Sequence, residues 1–217
     1  MISKTLGSHF SYYFEDVIRI QERLIDPFPL KNNSLIFTSV NSVRAFFKSG
    51  FKPNEKFTDA HYNKIYAVGN KTKLELRRNG FGTFKVFTNA AEMSDFLIEN
   101  ANNESFLHFC GNLSLDILDQ SLPLQNIKYK KIEVYTTEEI NPKLNAHYDA
   151  IVFFSPSGVR SFVKYNSVEG AKLFTIGSTT EKELRKYTNQ TIKFSTISSL
   201  KDLLQVMNKT LNAPEKL

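Results

Sequence analysis

The 217-residue chain has no tryptophan, one cysteine and four histidines, and each shortage excludes something. A lone Cys110 cannot build an internal disulfide framework and suits a reducing compartment. His9, His61, His108 and His147 stand far apart, with no HExxH and no cysteine pair, so no zinc site is expected. His108 lies two residues from Cys110 in an apolar run; such neighbours merely share a strand face, which disfavours a nucleophile–base pair. No apolar run approaches the roughly 18 residues of a membrane span. The opening MISKTLGSHFSYYFEDVIRI lacks the charged-then-apolar pattern and small-residue cleavage site of a secretory signal. A cytoplasmic protein with no membrane partner is therefore expected. The dinucleotide fingerprint GxGxxG, the phosphate loop GxxxxGKS/T and the nucleophile elbow GxSxG are absent too.

What is present is said twice. LIFTSVNSVRAFF at 35–47 and IVFFSPSGVRSFV at 151–163 share Phe37/Phe153, Ser39/Ser155, Val43/Val159, Arg44/Arg160 and Phe46/Phe162. IYAVGNKTKLELRR at 65–78 and LFTIGSTTEKELRK at 173–186 then match at Gly69/Gly177, Thr72/Thr180, Glu75/Glu183, Leu76/Leu184 and Arg77/Arg185. A weaker pair sets 88–97 against 196–204. Three matches in one order mark an internal repeat. Nineteen phenylalanines and nine tyrosines supply cores for two units of this length. The net charge of +6 is compatible with an anionic partner, yet no single element gathers the basic and aromatic residues of a nucleic-acid groove.

The repeated unit is a short apolar strand, a polar turn and an amphipathic helix. LIFT, IVFF, IYAVG and LFTIG read as strands buried on both faces, hence parallel sheets covered by helices. Ser155 before Pro156 suits a helix cap with proline in the first turn. The first unit continues with strand SFLHF, a CGN turn, helix NLSLDILDQSL and strand KIEVYTT. The second lacks these elements, and a weak N-terminal strand at Ile2–Leu6 is expected to complete it. The resulting domains are 1–17 plus 140–217, discontinuous, and an inserted 24–131. The linkers, at about 18–23 and 132–139, alternate apolar and polar residues and suit an antiparallel two-stranded hinge.

Candidate site residues collect in turns at the carboxyl ends of these strands, where open α/β sheets bind ligands. They are Thr38, Ser39 and Asn41; Gly69, Lys71 and Thr72; Cys110, Gly111 and Asn112; Ser155, Ser157 and Gly158; and Gly177, Ser178 and Thr179, followed by Thr180. Helix N-termini there offer unpaired N–H groups and a dipole that favours anions. The hydroxyls can be read as donors to a ligand or as caps of their own helices; both uses remain open at this point.

The ordered set FTSVNSV, AVGNKT, CGN, VYTT, FFSPSGV and IGSTTEKEL resembles the uroporphyrinogen-III synthase family over roughly residues 35 to 205. The resemblance implies two flavodoxin-like parallel-sheet domains joined by a two-stranded linker. It implies cyclisation of hydroxymethylbilane, a linear tetrapyrrole with eight carboxylates, with inversion of the last ring and loss of water. No cofactor or metal is implied. Such chemistry rests on folding the substrate more than on acid–base groups. Tyr135 matches the family tyrosine after the last strand of the inserted domain, and Thr180 the second threonine of the IGxTT turn; both are implied as catalytic. The family's opening strand and Thr-Arg turn are replaced here by MISKTLGSHFSYY. A non-catalytic two-domain protein that clamps a tetrapyrrole or another polycarboxylate in an interdomain cleft is the alternative, and a monomer is expected on either reading.

Overall fold

A computed structural model describes residues 5–7 and 10–212. The chain divides into two compact units, Met1–Arg19 with Glu138–Leu217, and Ile20–Thr137. In chain order the elements are β1 (Ile18–Glu22), β2 (Ser34–Phe37), α1 (Val40–Lys48), β3 (Ile65–Val68), α2 (Asn70–Arg78), β4 (Lys85–Phe87), α3 (Ala90–Asn100), β5 (Ser105–Gly111), α4 (Ile117–Leu124) and β6 (Lys128–Glu139). Then follow β7 (Ala150–Phe153), α5 (Pro156–Val163), β8 (Lys172–Thr175), α6 (Ser178–Leu184), β9 (Ile192–Phe194) and α7 (Leu200–Leu211).

The 20–137 unit is built on the strand order β1-β6-β5-β2-β3-β4, in which β6, β5, β2, β3 and β4 run parallel. Counted from β2, the parallel strands read 3-2-1-4-5, and the order reverses between β2 and β5; flavodoxin's 2-1-3-4-5 reverses elsewhere. All four β2 residues are buried: Leu35 and Phe37 join Phe46, Phe51 and Phe109 beneath α1, while Ile36 joins Met93, Leu97 and Leu118 beneath α3 and α4. That double burial is why LIFT carries no polar alternation.

The other unit holds a parallel sheet β7-β8-β9 among the described residues. Leu173 faces Val159, Phe162 and Leu184, and its neighbour Phe174 faces Leu203 and Leu204. The expected N-terminal strand falls partly outside the described residues. Thr5 and Leu6 are helical, not extended, and Leu6 buries its side chain against Phe174, Leu203 and Leu204. The segment thus gives this sheet a cover for one face.

β1 and β6 are neighbours in the sheet. The Arg23 N–H donates to the Val134 carbonyl at 2.8 Å and the Ile140 N–H to the Val17 carbonyl at 3.0 Å, a pairing that only antiparallel segments make.

The charged matches of the repeat are explained by packing. Arg44 of α1 reaches Glu75 of α2 at 2.9 Å, and Arg160 of α5 reaches Glu183 of α6 at 3.7 Å. Both glutamates are nearly buried, at 8% and 9% exposed. Hydrogen bonding from Lys186, with nearby Arg160, holds the Glu183 carboxyl below the usual range. A lowered folded value contributes stability above the unfolded carboxylate range, lost as pH falls through the folded value. Glu183→Gln is accordingly expected to cost about 1–2 kcal/mol at neutral pH. Thermal melts should show that gap narrowing in acid; an equal gap at pH 7 and pH 3 would assign the loss to shape alone.

Candidate functional site

The carboxyl ends of β2 and β5 flank the point where the sheet order reverses. Ser39 starts α1 there, its Oγ accepting the Ser42 N–H at 3.1 Å while the Ser42 hydroxyl donates back to the Ser39 carbonyl at 2.8 Å. Ser155 does the same for α5, accepting the Gly158 N–H at 3.0 Å with Pro156 in the first turn. For these two serines the hydroxyl serves its own helix.

The glycine-led turns differ. Gly69 before α2 and Gly177 before α6 provide no side-chain cap, and the first backbone bonds of those helices are Lys73 N–H to Gly69 O and Glu181 N–H to Gly177 O. The amides of Asn70, Lys71 and Thr72, and of Ser178, Thr179 and Thr180, accordingly have no protein acceptor among the described residues. Asn70, Lys71, Ser178 and Thr179 are exposed. Thr72 and Thr180, matched in the repeat, are each 3% exposed. Gly69 sits at φ +81°, a left-handed conformation that disfavours any side chain and aims the following N–H groups outward.

At β5 the structure corrects the expected CGN turn. Cys110 and Gly111 are still strand, and the chain turns only at Asn112. Asn112 is committed to β6: its Oδ1 accepts the Thr137 N–H at 2.8 Å and its N–H donates to the Tyr135 carbonyl at 3.3 Å. That commitment delays α4 to Ile117, five residues after the expected start. Cys110 is fully buried and burial pushes its thiol up to about 11, so it is neither a ligand contact nor a thiolate.

Tyr135 reaches the reversal point through a β-bulge. Cys110 pairs with Glu133 but Gly111 pairs with Tyr135, skipping Val134. The extra residue puts Val134 and Tyr135 on the same face, packed with Phe37 and Phe109. The Tyr135 ring then lies on Gly111, where an added Cβ would stand 2.4 Å from Cζ, with the phenol beside Ser39. Burial raises its pKa, so the phenol keeps its proton at neutral pH and remains a donor. Gly111→Ala must displace that ring, and overpacking of this kind costs about 1–3 kcal/mol. The expected result is a stability loss of that size and a changed Tyr135 ring environment in NMR; an unmoved ring resonance would contradict the contact.

On the other face of the same sheet lies a chain that spacing alone did not reveal. The Thr38 Oγ1 is 3.0 Å from His108 Nε2, and His108 Nδ1 is 2.6 Å from the Tyr129 hydroxyl. Tyr129 donates to Asp119 Oδ1 at 2.6 Å, and Lys131 Nζ donates to Asp119 Oδ2 at 2.8 Å. His108 is 1% exposed, and burial depresses its pKa to about 4, so it is neutral. It has no bond to Cys110; its partners lie just past β2 and on β6.

Of the remaining candidates, Asn41 is half-exposed in the first turn of α1, whereas Ser157 and Gly158 are buried in the first turn of α5. Ser157 Oγ lies 3.2 Å from Ser155 Oγ. The structure therefore gathers Thr38, Ser39, Gly111 and Tyr135 at one point of the 20–137 unit, with Gly69, Lys71 and Thr72 on the next strand of its rim. Ser155, Ser157, Gly158, Gly177, Ser178, Thr179 and Thr180 follow adjacent strands β7 and β8 of the other unit.

Parallel sheets with amide-rich turns at their carboxyl edges place the chain among the open α/β proteins, whose ligands sit at that edge as a rule. A family model described as uroporphyrinogen-III synthase HemD matches residues 14–205, and the chain belongs to the uroporphyrinogen-III synthase family. It is 26% identical over 149 residues to uroporphyrinogen-III synthase of Saccharomyces cerevisiae, an alignment covering 55% of this chain. The chain spans about half the length of that relative, 54%. The fold is that of uroporphyrinogen-III synthetase from Helicobacter pylori, with TM-score 0.67 and 19% identity over 89% of this chain and 91% of that one. It is also that of a mutant uroporphyrinogen III synthase from Thermus thermophilus, with TM-score 0.61 and 14% identity over 97% and 91%. Among the described residues no helix is long and apolar enough to cross a membrane.

Proposed function

We propose that the chain closes hydroxymethylbilane to uroporphyrinogen III, inverting the last pyrrole ring and releasing water. The observation that carries this reading is Tyr135: a protonated phenol set by a bulge and Gly111 at the sheet-reversal point, beside the Ser39 helix cap. The terminal hydroxymethyl group must depart as water, leaving a cation stabilised by the pyrroles. A neutral phenol donates a hydrogen bond to that departing oxygen. Attack by the substituted carbon of the last ring then gives a spiro intermediate, which fragments and recloses inverted. For that route to prevail over direct closure the linear substrate has to be held bent.

Carboxylates supply the handles. The uncapped amides at Asn70, Lys71 and Thr72 and at Ser178, Thr179 and Thr180 take carboxylates through charge-assisted bonds, and Lys71 adds a cation. In this reading Thr180 acts through its N–H, and its buried side chain sets the turn. The role of Ser39, Ser155 and Ser157 is to build the helix starts that border these sites. The protein works as a monomer in the cytosol, since each unit has its own buried core and the lone cysteine is a buried thiol.

Incubation with enzymatically generated hydroxymethylbilane tests the reading. The type III isomer is expected after oxidation and separation of the products. Type I product alone, as in the spontaneous reaction, would show a protein that binds without closing.

A further inference from the structure

The hydroxyl of Thr38 has one proton, and the hydrogen-bonded chain behind it decides where that proton goes. At the far end Lys131 is paired with Asp119 at 2.8 Å and with Asp116 at 3.3 Å. Burial opposes ionisation of Asp119, but hydrogen bonds from Lys131 and Tyr129 prevail and hold its carboxyl below the usual range. An ionised carboxylate only accepts, so the single Tyr129 proton goes to Asp119 Oδ1. The Tyr129 oxygen must then accept at its 2.6 Å contact with His108 Nδ1. A neutral His108 therefore carries its hydrogen on Nδ1 and leaves Nε2 bare. Thr38 Oγ1, 3.0 Å from that bare nitrogen, donates to it.

We infer that the chain Lys131–Asp119–Tyr129–His108 locks Thr38 as a hydrogen-bond acceptor at the rim, so that Thr38 selects a pyrrole N–H of the substrate and not a carboxylate. Thr38 is half-buried at the carboxyl end of β2, next to the Ser39 helix cap that Tyr135 touches. No protein donor reaches its oxygen among the described residues, so its lone pairs face repulsion from a carboxylate and attraction from an N–H. Four of the five members are otherwise accounted for as partners of one another, and only the Thr38 end opens to the rim. Naming a pyrrole as the donor rests on the proposed function; the direction of the lock does not.

Two measurements separate these levels. In the free protein, long-range 1H–15N correlation of the histidine rings, assigned with His108→Gln, should show His108 with hydrogen on Nδ1 alone. Hydrogen on Nε2, or on both nitrogens, at neutral pH would overturn the lock whatever the protein catalyses. Tyr129→Phe removes the acceptor for Nδ1–H and should shift that signature toward Nε2–H, while an unchanged signature would show that Tyr129 does not set it. The ligand side uses a pyrrole dicarboxylate with a free N–H and its N-methyl counterpart, titrated by NMR. Wild type should prefer the free N–H by about fivefold, the worth of one hydrogen bond, and Thr38→Val should abolish the preference. Thr38→Ser should restore it. A Thr38→Val variant that weakens both compounds equally, or neither, would refute the assignment of an N–H donor. Wild-type failure to form the type III isomer, with the Nδ1–H form intact, would instead refute the proposed function and leave the lock standing.

Discussion

Tyr135→Phe is expected to lower formation of the type III isomer by about tenfold or more, with folding intact. The substitution deletes one oxygen and keeps the ring that lies on Gly111 and packs against the phenylalanine cluster. Only what the phenol oxygen does is lost, above all its bond to the departing hydroxyl. A useful hydrogen bond made in the transition state contributes about 1–2 kcal/mol, and each 1.4 kcal/mol is about tenfold in rate. Because closure also proceeds spontaneously to the type I isomer, the variant should raise the type I fraction as turnover falls. The assay is the isomer ratio at fixed substrate, alongside a melt to show that stability has moved little. Wild-type turnover and ratio in this variant would remove the hydroxyl from the chemistry and leave Tyr135 as packing.

Much of the architecture is legible because burial writes directly into composition. A strand covered on both faces has no polar alternation, so LIFT and LFT announce parallel sheets; Ser155 before Pro156 and Ser39 before an apolar helix face announce their caps. The repeat also holds pairings that its sequence does not announce. Arg44 with Glu75 and Arg160 with Glu183 are matched twice because each pair ties two helices together, yet nothing local links residues 31 and 23 positions apart. The candidate turns were legible as a class but not by role. Ser39 and Gly69 look alike as turn residues, and only the bonds made show that one start is capped and the other open. The bulge at Gly111 and the chain from Thr38 to Lys131 were not legible. A bulge is a mismatch between two strands, and a relay of five residues on β2, β5, α4 and β6 exists only after folding brings them together. Strand alternation put His108 and Cys110 on one face without making them a pair, but could not supply the partners of His108, Thr38 and Tyr129.

Phe109→Ala should produce the largest loss of stability of any single change in the 20–137 unit, about 3–5 kcal/mol. Phe109 is fully buried on β5, with its ring centroid 4.6 Å from that of Phe46, 5.3 Å from Phe51, 5.7 Å from Phe37 and 6.5 Å from Phe28. Four rings fixed by α1, β2 and the flanking loops cannot all move in to fill the space, so most of the vacated volume stays empty. Phe109→Leu keeps much of the volume and should cost a fraction of that. The loss should be read as a lower urea midpoint and as faster amide exchange in β2 and β5, the central strands of that sheet. Exchange that accelerates only at the edge strands β1 and β4 would show that the rings do not hold the centre. Phe109 also belongs to the cluster that Tyr135 packs against, one residue before the bulge that aims it. Slackening at Phe109 should therefore misplace the phenol before it unfolds the sheet, so turnover in Phe109→Leu should fall by more than its folded fraction.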